Sequence, residues 1–216
     1  MFAALGLLLP AALATEITPN GTTVATGARI GVQGQHSYGE WLLDNGSIPN
    51  GSGRTVSGDN VAGGWTVFQP FTVPEPGWIV ETIGVDGWNV QDPMGLGMLG
   101  SLLPSDVNGD PDEDSPIASA VYYLSPDPFS SNWRDEPFNV VLEPGRYWMK
   151  WEDNGDPNHW SAIFAGITGE NSHSRQETTG RIVEDGITAL RIWGTVVPEP
   201  STLLLLLGAG ALLRRR

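Results

Sequence analysis

The chain has 216 residues, no cysteine and a formal charge of −14, so disulfides and thiolate metal sites are excluded. Nine Trp, four Tyr and six Phe supply a core, while 28 Gly and 17 Pro point to short elements joined by turns. Three of the 11 basic residues are the terminal Arg214, Arg215 and Arg216, so the remaining surface is more acidic still; it repels phosphate backbones and excludes nucleic acid as a partner.

In chain order, the first element is the apolar run Phe2–Leu13, which ends in Ala12-Leu13-Ala14 with small residues where signal peptidase requires them. It reads as a signal peptide over residues 1–14, cleaved after Ala14; the competing reading is a buried strand or helix of the domain. No Lys or Arg precedes the run, and a start codon assigned too far downstream accounts for that.

From Thr22 to Val196 the pattern is one of short apolar or alternating runs between turn residues. Strands are predicted over Thr22–Val32, Gly64–Val73, Trp78–Val85, Ala118–Leu124, Phe138–Leu142, Arg146–Trp151, Ser161–Ile167 and Ile187–Val196. Turn signals stand at Asn45-Gly46, Asn50-Gly51, Pro76-Gly77, Pro144-Gly145, Asn154-Gly155 and Asp185-Gly186. Before the tail no stretch holds a 3.6-residue period. The expected fold of residues 15–196 is therefore all-β, an antiparallel β-sandwich of jelly-roll-like kind.

Within this domain, DVNGDPDEDSP places Asp106, Asn108, Asp110 and Asp112 at alternate positions, the oxygen-rich pattern that a hard cation such as Ca²⁺ takes. It is not an EF-hand loop, because the sixth and twelfth positions are Pro111 and Ile117. The other reading is a solvated acidic loop. DNGDPNH, with Asp153, Asn154, Asp156 and Asn158, repeats Asn-Gly-Asp-Pro and reads as a repeated turn.

Flat indole faces stack on sugar rings, and Trp133, Trp148 and Trp160, all near polar loops, are the candidates for such a platform; the competing role is core packing. After the Pro144-Gly145 turn, Tyr147, Met149 and Trp151 share the predicted core face of a strand. Trp148 stands on the outer face with Arg146 and Lys150. His36, His159 and His173 fall in separate loops without zinc spacing, there is no G-x-S-x-G elbow, and no enzyme activity is expected.

The tail reads VPEPSTLLLLLGAGALLRRR. A helix over residues 201–213 spans about 20 Å at 1.5 Å per residue, short of the roughly 30 Å of hydrocarbon in a bilayer. The arginines after it stay cytoplasmic, which places the domain outside. Val-Pro-Glu-Pro-Ser-Thr, an apolar run and a terminal Arg cluster together resemble the PEP-CTERM sorting signal, over residues 197–216. The resemblance implies export by a Gram-negative bacterium, processing by an exosortase with Pro198, Glu199 and Pro200 as its recognition residues, and an association with exopolysaccharide and biofilm. An L-x-P-G-x-Y-W strand, here Leu142–Trp148, also resembles those of β-sandwich domains that carry such tails.

The same four residues, VPEP, occur at 73–76, but there Gly77 and Trp78 follow, and they read as a turn between strands. The expectation is an exported protein of the cell surface or extracellular matrix with a structural or adhesive role. A carbohydrate-binding module and a calcium-stabilised adhesin are the alternatives.

Overall fold

The computed structural model describes residues 14–17, 23–26 and 39–198. The described residues hold only strands: β1 Ala14–Ile17, β2 Thr23–Thr26, β3 Glu40–Asp44, β4 Ile48–Ser57, β5 Trp65–Val73, β6 Trp78–Val85, β7 Gly87–Gln91 and β8 Met98–Pro104. There follow β9 Ala118–Tyr122, β10 Arg134–Leu142, β11 Gly145–Asp153, β12 Trp160–Ala165, β13 Ser172–Gln176, β14 Ile182–Gly186 and β15 Leu190–Val196. Beside the β1–β2 pair, the strands form two antiparallel sheets. The smaller runs β10-β6-β15-β3 and the larger β7-β12-β4-β5-β11-β8-β9, with β13 pairing both β5 and β14.

The chain changes sheet at two neighbouring places. β5 in the larger sheet becomes β6 in the smaller one through residues 74–77, and β10 returns to β11 through Glu143-Pro144. Because β5 pairs with β11 and β6 with β10, these four strands form one antiparallel ribbon folded over a corner, with Val73 opposite Gly145 on one side and Trp78 opposite Leu142 on the other. The first VPEP is this corner: the Gly77 N–H donates to the Pro74 carbonyl at 2.9 Å. Gly77 is required there twice over. Its φ is +108°, and a Cβ would stand 2.6 Å from the Leu142 carbonyl oxygen. Phe71, Trp78 and Tyr147 stack inside the bend.

One apolar core lies between the two sheets. Val67, Phe71, Met149 and Trp151 reach it from the larger sheet, and Val80, Ile83, Val85, Leu190 and Ile192 from the smaller. The expected core face of β11 is the observed one, with Tyr147 partly buried against the cluster. β5 is buried on both faces, which explains its nearly continuous apolar run. Pro70 sits in it without conflict because β13 pairs only as far as Phe68, which leaves the rest of that edge free of a ladder partner.

Gln69, fully buried on the core face, ties β5 to two loops. Its Nε2 donates to the carbonyls of Pro70 at 2.9 Å and Glu170 at 2.7 Å, and its Oε1 accepts from Thr188 N at 2.8 Å and Oγ1 at 2.9 Å. Such an amide contributes because every polar atom is satisfied.

The structure adds seven strands that the pattern did not predict (β1, β3, β4, β7, β8, β13 and β14), and it turns the expected Asn50-Gly51 turn into part of β4. Of the expected strand Thr22–Val32 only Thr23–Thr26 falls among the described residues. The predicted signal peptide, apart from Ala14, and the tail beyond Pro198 lie outside them. Among the described residues no helix is long and apolar enough to cross a membrane; the predicted span 201–213 lies outside them too.

Replacing Gln69 with Leu leaves the Thr188 N–H and the Glu170 carbonyl without their partner. The expected loss is about 2–3 kcal/mol of folding stability, measured as a lower urea midpoint at unchanged slope.

Candidate functional site

Asp106 opens the acidic loop between β8 and β9 by turning inward. Its Oδ1 accepts from the backbone N–H groups of Asn108 (2.8 Å) and Asp110 (2.9 Å), and its Oδ2 from the Asn108 side chain (3.1 Å). These bonds, the Asn108 and Asp110 amides foremost, hold its carboxyl below the usual range. Asp112 anchors the returning chain through its N–H to the Pro104 carbonyl at 3.0 Å. Among the described residues no three His, Asp or Glu side chains come together as a metal site, this loop included.

The loop lies over Trp148. The indole Nε1–H donates to Ser105 Oγ at 3.0 Å and to the Gly109 carbonyl at 3.2 Å. Trp148 is on the outer face among charges, as its register predicts, but it is only 5% exposed and offers no open platform. It packs with Phe68 and Leu103 in a second apolar cluster. His173 stacks on Phe68 at 4.9 Å, and Arg146 and Arg175 stand over Trp148 and Phe68 at 5.1 and 5.0 Å. Glu113 closes the cluster with both carboxylate oxygens on Arg175 and one on Lys150 at 3.0 Å. Burial alone would raise the Glu113 pKa; the bonds from Arg175 and Lys150 outweigh it and hold the group below the usual range.

The other two candidate tryptophans have different surroundings. Trp133 is half-buried, and the Arg191 guanidinium, which also donates to Asp135 at 2.7 Å, covers its ring at 4.4 Å. Trp160, at the start of β12, is 40% exposed and is the one of the three that presents a substantial surface. Trp41 is exposed to 39%, a feature the sequence pattern did not single out.

The second Asn-Gly-Asp-Pro loop is a turn, as expected, but it encloses a buried imidazole. Asp156 accepts from Asn158 N at 2.9 Å and Met94 N at 3.3 Å, and Asp92 accepts from Leu96 N at 3.1 Å and Gly97 N at 2.9 Å. His159 between them is 1% exposed. Its Nδ1 lies 3.9 Å from Asp92 Oδ1, and neither ring nitrogen has a hydrogen-bond partner. Burial lowers its pKa against the pull of Asp92, Asp153 and Asp156. The expected simple loop histidine is thus part of the packed interior.

Two groups set opposing pH dependences. His159 is neutral in the fold with a depressed pKa, so its contribution is present above its ordinary value of 6.5 and is lost as pH falls below that. Burial, assisted by Asp135, raises Glu136 from 4.5 to about 7, so Glu136 costs stability progressively as pH rises between those values. Glu136→Gln is expected to stabilise the protein by about 1–3 kcal/mol at pH 8 and to change nothing at pH 4. His159→Gln is expected to flatten the decline from pH 7 to pH 5. Urea denaturation at each pH reads both.

The chain leaves the domain at its corner. β15 ends at Val196 opposite Trp78, and the Val197 N–H donates to the Gly77 carbonyl at 2.9 Å. The second VPEP therefore departs beside the turn that the first one makes; Glu199, Pro200 and Arg214–Arg216 lie outside the described residues. No curated protein and no solved structure matches the chain. Residues 196–216 match the family described as the PEP-CTERM protein-sorting motif. The chain carries that motif, the mark of an exported bacterial protein sorted by an exosortase.

Proposed function

We propose that residues 15–196 are a structural or adhesive ectodomain of the cell envelope or extracellular matrix of a Gram-negative bacterium. In this reading signal peptidase cuts after Ala14, and an exosortase recognises Pro198, Glu199 and Pro200. The apolar segment 201–213 and Arg214–Arg216 hold the tail in the membrane until then. The observation that carries the reading is the sorting motif at residues 196–216. The folded-over ribbon of β5–β11 and β6–β10 supports the jelly-roll-like winding of the ectodomain. The role is non-enzymatic.

A second reading, recognition of exopolysaccharide, is favoured by the exposed indole of Trp160. A glycan-array signal lost in Trp160→Ala supports it, and an unchanged signal counts against it.

Intact-mass measurement of the protein from membrane and medium fractions of its native host tests the sorting. The expected species begins at Thr15 and ends near Pro198–Ser201, and Glu199→Ala is expected to leave the tail uncut. A wild-type mass that retains Arg216 in the membrane fraction overturns processing and leaves the tail as a lasting anchor.

A further inference from the structure

The larger sheet forks beside β5. β4 pairs with β5 only at Ser57 opposite Trp65, a residue that β13 also pairs through Gln176; from there β13 runs along β5 to Phe68 while β4 continues with β12. A pocket of about 200 Å³ opens in the fork, lined by Gly53, Arg54, Thr55, Trp65, Ser174 and Val183.

By register Arg54 pairs with the core residue Ile163, while Ser174 pairs with both Val67 and Val183. Arg54 therefore projects on the core-facing side of the sheet, against the polarity that a charged side chain needs there. Its Nε is buried and has no hydrogen-bond partner, and among the described residues no carboxylate pairs with it. Gly186 leaves the guanidinium room, since a Cβ there would lie 3.1 Å from Arg54 Nη2. A half-buried cation whose Nε is shut away without a partner, on a protein of net charge −14, suits one negative group.

We propose that this pocket binds a hexuronate unit, a sugar ring bearing one carboxylate. Arg54 takes the carboxylate through its forked N–H groups. The indole of Trp65 supplies the flat apolar wall that suits the C–H face of a sugar ring, and Thr55 adds a hydroxyl at the rim. The volume admits one ring and no more. The acidic surface repels a continuous polyanion, so the unit recognised is an isolated uronate among neutral sugars. This site goes beyond the surface-protein reading and does not depend on tail processing or on Trp160.

The test is titration of the ¹⁵N-labelled protein with methyl glucuronoside, methyl glucoside and acetate, followed at the Arg Nε–H and Trp indole N–H signals. Methyl glucuronoside is expected to shift the Arg54 and Trp65 signals saturably in the millimolar range. Methyl glucoside and acetate are each expected to bind at least tenfold more weakly, and Arg54→Gln to lose binding by at least tenfold. Should Arg54→Gln not fold, Val183→Phe, which fills the pocket, is expected to abolish the shifts.

Equal binding of the glucoside, full affinity for acetate, no saturable shift, or unchanged binding in the folded variant each overturns the proposal. Shifts confined to Trp160 overturn it while supporting the separate exopolysaccharide reading.

Discussion

The constraint on which the rest of the structure depends is the folding-over of one antiparallel ribbon. β5 and β11 cannot continue as β6 and β10 in a second sheet unless both chains bend at the same place. The bend is tight enough that residue 77 must be glycine, because the Leu142 carbonyl occupies the space of any side chain there. Once the corner is set, the two sheets face each other and the alternation of each strand sends Val67, Phe71, Met149 and Trp151 toward Val80, Ile83 and Ile192. Apart from the β1–β2 pair, every other strand then adds to one sheet or the other.

A second layer follows from the first. The outer face of β5 and β11 carries Phe68 and Trp148, which water would meet on an uncovered sheet. The acidic loop after β8 and the strand β13 cover them, and the covering is held by polar groups: the Trp148 indole N–H, the paired Glu113 and Arg175, and the Asp106 turn. Among the carboxylates of this loop, Asp106 caps backbone amides and Glu113 is the counterion of Arg175 and Lys150.

How much of this was legible depended on what each strand has to bury. β6 is read correctly from Trp78 to Val85 because it is central in its sheet and its apolar run is bounded by turn residues. β4, IPNGSGRTVS, carries Asn-Gly and Ser-Gly in its first half, and those residues say turn while long-range pairing with β12 makes them strand. β13 and β14 extend the sheet beside β5 with polar residues: Ser172 and Ser174 are small and buried, while His173 and Arg175 lie over Phe68 on the outer face. The burial of Trp148 and His159 was illegible because it depends on loops closing from elsewhere in the chain. Arg54 escaped notice with the strand that carries it. The sorting motif was legible because its recognition is a property of linear sequence and needs no fold.

The bond from Val197 to Gly77 also has a mechanical meaning. A protein tethered through its C-terminal side receives any pull on the tether at the end of β15. That strand is flanked by β6 and β3, antiparallel on both sides. Load directed along the axis of β15 is shared in parallel by the hydrogen bonds of two ladders instead of opening them one after another. Where the chain leaves the domain, two ladders rather than one stand against traction.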